Sequence, residues 1–119
     1  MATNTFKRFT KASLSNNSGS PTTVYSAASN KTSIIIGCLL VNKTTSDATV
    51  HVYNDTAISG DADTFICHNL TVPRSSTVEL SLGKVVITHD GSNGDVVKAY
   101  ASAASAIDIH LSVLEDVNP

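Results

Sequence analysis

Tryptophan is absent from this sequence of 119 residues, and the other aromatic side chains are limited to three Tyr and three Phe. A core that fills its volume mainly with aromatic rings is therefore excluded, and we expect an aliphatic core of Val, Ile, Leu and Ala. Charged residues are also few, at 15% of the chain. The abundance of β-branched and hydroxyl side chains favours strands and polar turns over helices. A chain of this length has room for one small domain.

Cysteine and long apolar runs are equally scarce. The only two cysteines are Cys38 and Cys67, too few for a disulfide framework. Each lies in an apolar strand candidate, so we expect buried free thiols, with a Cys38–Cys67 bridge as the alternative. No stretch approaches the roughly 20 apolar residues of a membrane span. The first residues also lack the apolar segment of a secretory signal, and we expect neither feature.

What the sequence does contain is a series of short strand candidates separated by turn residues. The last of them alternates: apolar residues fall on one face and polar residues on the other, namely Ile107, Ile109, Leu111 and Val113 against Asp108, His110 and Ser112. The run at residues 32–41 is apolar on both faces, which predicts a strand that is covered on both sides. Turn signals recur roughly every ten residues. The pattern predicts an all-β fold, an antiparallel sandwich of seven or eight strands with a jelly-roll-like arrangement over residues 22–119.

The N-terminal segment differs from this body in composition. Residues 1–21 are polar and lack periodicity, and we expect them to form an extended arm held by another chain. Four basic residues and no acidic residue occur before position 32, but this density is too low to indicate nucleic-acid binding. We predict that the arm contacts its partner through apolar anchors and basic side chains, namely Phe6, Lys7, Arg8, Phe9 and Lys11. The alternative is that Phe6 and Phe9 fold back onto their own domain.

Chemistry-bearing residues do not form a recognisable motif. The four histidines, at positions 51, 68, 89 and 110, lack the spacing of metal ligands. Asp61 and Asp63, and the segment 90–95, are better explained as polar turns than as a calcium loop. No nucleophile, base and oxyanion donor are placed together by the sequence. We therefore expect no catalytic, cofactor or metal site, and we expect the protein not to be an enzyme.

The order of short motifs along the chain is informative in its own right. It runs from a basic and aromatic start at residues 4–9 to the strand candidates at residues 23–25, 40–44, 50–52, 70–73, 75–80, 83–86 and 101–115. In this order the chain resembles small virion structural proteins of tailed bacteriophages, of the marine and cyanophage type. The resemblance covers most of the chain.

The resemblance implies a non-enzymatic component of a virus particle, assembled in the cytoplasm of the host bacterium. A head decoration or cement protein is the first expectation. The alternatives are a tail, neck or baseplate fitting, or a carbohydrate- or receptor-binding module on the virion. The implied partners are other virion proteins, either the major capsid protein or tail and neck proteins, together with further copies of the chain in a homo-oligomer such as a trimer.

Overall fold

A computed structural model describes residues 5–80 and 85–115 of the chain. Within these residues it contains nine strands and no helix, which confirms the all-β class. The strands are β1 (Thr5–Lys11), β2 (Thr22–Ser26), β3 (Thr32–Asn42), β4 (Ala48–Thr56), β5 (Thr64–Val72), β6 (Thr77–Leu80), β7 (Val85–Thr88), β8 (Asp95–Ala101) and β9 (Ile107–Glu115). Eight of these correspond to strand candidates in the sequence, and β1 is the additional one.

The strands form two antiparallel sheets. Sheet A has the order β1-β9-β3-β6, and β7 also pairs with β3. Sheet B has the order β2-β8-β4-β5. Apart from β4 and β5, which follow one another in the chain, neighbouring strands come from distant segments, so most of the pairing is non-local.

The core lies between the inner faces of the two sheets and is aliphatic, as expected. The alternation predicted for β9 is confirmed, because its apolar side chains are buried and its polar ones are partly exposed. The largest fully buried side chains of the core are those of Leu14, Ile35, Leu40, Ile87, Ile107, Ile109 and Leu111. Tyr25 is the one aromatic side chain buried in the core of the described residues. Cys38 and Cys67 are free thiols, the first buried in this core and the second half-buried.

The extended N-terminal arm is not confirmed. Residues 5–11 form β1, which pairs antiparallel with β9 of the same chain and places Phe9 opposite Leu111. Beyond β1, Leu14 is buried, and its N–H donates to the carbonyl oxygen of Ile107 at 2.8 Å. The physical reason is that β9 would otherwise leave a row of unpaired backbone groups, which β1 satisfies. Residues 1–4 lie outside the described residues.

Strand β3 is covered on one side only, so the prediction of two-sided burial is wrong. Ile35, Cys38 and Leu40 are buried against sheet B. Ile34 on the outward face is only partly buried, and Ile36 is 46% exposed. In the described residues no further layer covers this face of sheet A, although its residues are apolar.

The turn between β7 and β8 depends on close packing around a glycine. His89 forms an isolated bridge with Gly94, and its Nδ1 accepts the N–H groups of Asn30 at 3.1 Å and Gly91 at 2.9 Å. A Cβ at position 94 would lie 2.4 Å from Cδ2 of His89. Because two hydrogen bonds hold the ring, we expect Gly94→Ala to lower the free energy of unfolding by about 1–3 kcal/mol. Denaturant unfolding of the two proteins measures this difference.

Gly37→Ala is the matched control for this substitution. Its added Cβ would lie 3.5 Å from Cβ of Ser112, an ordinary van der Waals contact. We expect this variant to be as stable as the parent or slightly more so, because alanine reduces the freedom of the unfolded chain. Equal stability of the Gly94 and Gly37 variants would contradict the packing argument.

Candidate functional site

The outward face of sheet A carries a continuous row of apolar side chains. Phe6 lies opposite Leu114, Leu114 lies opposite Ile34, and Ile34 lies opposite Val86. Residues opposite each other in antiparallel strands share a face and have Cβ atoms about 4.5–5.5 Å apart, so these four side chains are adjacent. We call Phe6, Leu114, Ile34 and Val86, together with Ile36, the apolar row. It crosses β1, β9, β3 and β7.

Much of the apolar row is open to solvent. Phe6 is 76% exposed, Val86 is 56% exposed and Ile36 is 46% exposed. Ile36 alternates with the buried Ile35 and so faces outward like Ile34. The register shift between β3 and β9 at this point then turns Cys38, and not Gly37, to the core. Single exposed apolar residues are ordinary, but a contiguous exposed patch is typical of an interaction surface.

The five residues predicted to bind a partner are divided between the two sides of β1. Phe6 and Arg8 lie on the outward face, on the same side as the apolar row. Lys7, Phe9 and Lys11 lie on the other side, since they alternate with Phe6 and Arg8 along the strand. All of them except Phe9 are exposed.

Phe9 and Lys7 are both engaged within the domain. The ring of Phe9 packs against Tyr25 with the centroids 4.4 Å apart, so Phe9 folds back onto its own domain while Phe6 does not. Lys7 Nζ lies 2.7 Å from Oε1 of Glu115. The hydroxyl group of Tyr25 lies 2.8 Å from both Oε2 of Glu115 and Oγ of Ser33. This network fastens β1 to β9, β2 and β3.

The outward face of sheet B has a different chemistry, a cluster of rings on β4, β5 and β8. His51 stacks on Tyr100 with the centroids 4.6 Å apart and the planes at 18°. Tyr53 packs edge to face on Phe65 at 5.9 Å and on Tyr100 at 6.3 Å. His68 contacts both His51 and Phe65. We call these five residues the ring cluster.

Hydrogen bonds fix the histidine at the centre of the ring cluster. Nδ1 of His51 accepts the backbone N–H of Asn69 at 3.1 Å, so this nitrogen carries no proton. The same atom lies 3.2 Å from Nδ1 of His68, so the two imidazole rings are in close contact. Burial of the ring, followed by the neighbouring His68, lowers the pKa of His51. The imidazole of His51 is therefore held neutral against Tyr100.

A hollow of about 230 Å³ opens beside the ring cluster. It is lined by Ser18, Tyr53, Asp63, Thr64, Phe65 and Tyr100. Oδ1 of Asp63 accepts the N–H of Thr56 at 2.8 Å, which fixes the carboxylate. Close by, Lys98 forms an ion pair with Asp55. The hollow thus combines three aromatic walls with the carboxylate of Asp63 and the aliphatic hydroxyl groups of Ser18 and Thr64.

In the sequence the histidines lack the spacing of metal ligands, and no motif brings His51 and His68 together or marks Phe65. The outward positions of His51 and Tyr53 on β4 could be predicted from alternation. Their meeting with Tyr100 depends on the pairing of β4 with β8, which joins segments about fifty residues apart and leaves no local signal.

Within residues 5–80 and 85–115, no group of three or more His, Cys, Asp or Glu side chains is placed to hold a metal ion. The same residues contain no helix with the length and hydropathy needed to cross a membrane. Comparison with known proteins found no matching family model, no matching curated protein and no matching solved structure.

Proposed function

We propose that this chain is a non-enzymatic structural component of a tailed-phage virion, most simply a head decoration or cement protein. The observation that carries the proposal is the apolar row, which offers an assembly surface on one face of the domain. The resemblance in motif order to small virion proteins indicates that the partner of this surface would be a phage particle. A tail, neck or baseplate fitting would use the same surface.

A jelly-roll topology is part of the proposal. Strands β6 and β7 pair with successive parts of the same edge of β3 and can be counted as one interrupted strand. The chain then has eight strands in two sheets of four, ordered first-eighth-third-sixth and second-seventh-fourth-fifth. These orders are the ones expected of a jelly roll, an architecture that serves as viral capsid and lectin domains. The topology supports the proposal by analogy of fold alone.

The energy of docking would come from burying the apolar row. Complete burial of a Phe, Ile or Val side chain contributes about 1.5–3 kcal/mol. Phe6 and Val86 are more than half exposed, so most of that contribution is still available to a partner. Association costs several kcal/mol in lost freedom, and a single contact of this size is weak. Many copies on a symmetric particle, or a homo-oligomer such as a trimer, would convert weak contacts into stable attachment.

Charge indicates the kind of surface that would receive the apolar row. Arg8 is exposed beside Phe6 on the same face, and Lys11 is exposed at the end of the same strand. No acidic residue occurs before position 32. We infer a partner surface, on the major capsid protein or on a tail or neck protein, that is apolar at its centre and acidic at its rim. The edge of β1 that faces away from β9 could also accept a strand of that partner.

Incorporation into particles tests the proposal. Particles assembled without the chain are mixed with purified protein, sedimented and analysed for the amount retained. We expect the double variant Phe6→Ser, Val86→Ser to lose roughly tenfold or more of the retention, because both exposed anchors are removed. Since these side chains are largely exposed, the variant should keep the melting temperature of the parent.

Phe65→Ser is the matched control, because Phe65 is 53% exposed and lies on the opposite sheet. We expect its retention on particles to equal that of the parent. The proposal would be overturned if the chain were absent from purified virions, or if both variants were retained equally.

A further inference from the structure

The hollow beside the ring cluster has the features of a binding site that is separate from the apolar row. Three of its walls are the rings of Tyr53, Phe65 and Tyr100. Phe65 is 53% exposed although it belongs to a cluster with other aromatic rings. From this arrangement we propose that the hollow binds a single neutral or amino-bearing sugar ring.

The hollow combines surfaces that match both the faces and the rim of a sugar ring. A pyranose ring presents aliphatic C–H groups on its faces and hydroxyl groups around its rim. Aromatic walls match the faces, and Asp63, Thr64 and Ser18 can accept or donate hydrogen bonds at the rim. The volume of about 230 Å³ is below the roughly 300–1,000 Å³ of sites for drug-sized ligands, so it suits one ring rather than a longer chain.

The local charge around the hollow decides between ligand classes. Two carboxylates lie near Tyr53 at the hollow, those of Asp55 and Asp63, and the cation Lys98 is already paired with Asp55. Stacking rings also bind nucleobases, but such sites follow the phosphate backbone with a positively charged groove. An acidic surface repels phosphate, so a nucleic acid or another polyanion is disfavoured. A neutral hydroxylated ligand or an amino sugar has no such penalty.

The side chains that line the hollow are held in place before any ligand binds. The ring of Tyr100 is backed by His51, which is itself held by the N–H of Asn69. Asp63 is fixed by the N–H of Thr56, which leaves its second carboxylate oxygen for a ligand hydroxyl. Groups whose rotamers are fixed in advance lose little conformational entropy on binding.

Tyrosine fluorescence provides a direct test on the full chain. The protein has no Trp, and two of its three Tyr line the hollow while Tyr25 is buried. We expect saturable changes in emission on titration with free glucose, galactose, N-acetylglucosamine or glucosamine, with at least one of them binding. Phe65→Ser and Asp63→Asn should each weaken that binding roughly tenfold or more. Asn at position 63 can still accept the N–H of Thr56, so the second variant tests the charge without losing the turn.

Phe6→Ser, on the opposite face, is the control and should bind the sugar as the parent does. The inference is overturned if none of the four sugars binds, or if Phe65→Ser and Asp63→Asn bind the sugar as tightly as the parent does. Aromatic walls also bind quaternary ammonium groups, so binding of choline without binding of any sugar would overturn it as well. Substitutions at Phe6 and Val86 should change particle retention alone, and substitutions at Phe65 and Asp63 should change sugar binding alone. Failure of this inference is therefore distinguishable from failure of the proposed virion role, on which it does not depend.

Discussion

Replacement of Asn42 by alanine should lower the free energy of unfolding by about 3 kcal/mol or more, because one buried and two partly buried backbone groups lose their partners together. Asn42 is 1% exposed. Its Nδ2 donates to the carbonyl oxygens of Ser46 and Val72, both at 2.9 Å. Its Oδ1 accepts the N–H of Thr44 at 2.9 Å and the hydroxyl of Thr44 at 2.8 Å. One side chain thus ties the end of β3 in sheet A to the end of β5 in sheet B.

Asn42→Asp sharpens this prediction, since it keeps the shape and removes only the two donated hydrogens. An ionised carboxylate would then face two carbonyl oxygens, and we expect destabilisation at neutral pH at least equal to that of alanine. The loss should shrink at acid pH, where a protonated carboxyl can donate one hydrogen bond. Chemical denaturation at two pH values measures both effects.

Asn93→Ala provides the comparison for Asn42, because Asn93 is exposed in the turn between β7 and β8. Its unfolding free energy should stay within about 0.5 kcal/mol of the parent. If Asn42→Ala were as stable as Asn93→Ala, the four hydrogen bonds of Asn42 would contribute nothing measurable to the fold.

The free energy of unfolding should fall steeply at alkaline pH. The fall should begin near the ordinary pKa values of the buried Tyr25 hydroxyl and Cys38 thiol. Burial raises the pKa of Tyr25 to about 12 from an ordinary 10.0, and burial raises the pKa of Cys38 to about 12 from 9.0. The unfolded chain therefore releases these protons at lower pH than the folded chain does. The stability linked to these groups is complete below about pH 9 and is lost as pH rises toward 12.

Paired substitutions identify the groups responsible for this slope. Tyr25→Phe removes the hydroxyl that lies beside Ser33 and Glu115, so we expect lower stability at neutral pH but a flatter decline above it. Cys38→Ala should flatten the lower part of the decline. Unfolding free energies of the parent, the single variants and the double variant, measured from neutral pH to about pH 11, separate the two contributions. A double variant with the same slope as the parent would show that other groups control the alkaline transition.

Local patterns in the sequence were sufficient to predict where the strands lie, but not which strands pair with one another. The alternation of β9 placed Ile109 inward and His110 outward, and the structure agrees. The fold class followed from the same patterns. Which strand lies beside which depends on contacts between distant segments, and neither the apolar row nor the ring cluster could be assembled without them.

Two predictions differed from the structure for identifiable reasons. Residues 5–11 looked like an arm because a strand at the edge of a sheet exposes most of its side chains and needs little apolar content. The apolar character of both faces of β3 was read as burial within the domain. Its outward face instead contributes Ile34 and Ile36 to an exposed surface, and the proposed role gives that surface a partner outside the chain.

The cations on β1 affect how copies of the chain that are not bound to a partner interact with one another. If two copies joined edge to edge through β1, Arg8 and Lys11 of one would approach β1 of the other, which carries the same cations and no carboxylate. Repulsion of this kind opposes edge-to-edge aggregation of the sheets at high protein concentration. The free edge of β1 would therefore repel the same edge of a second copy and could still bind a negatively charged surface.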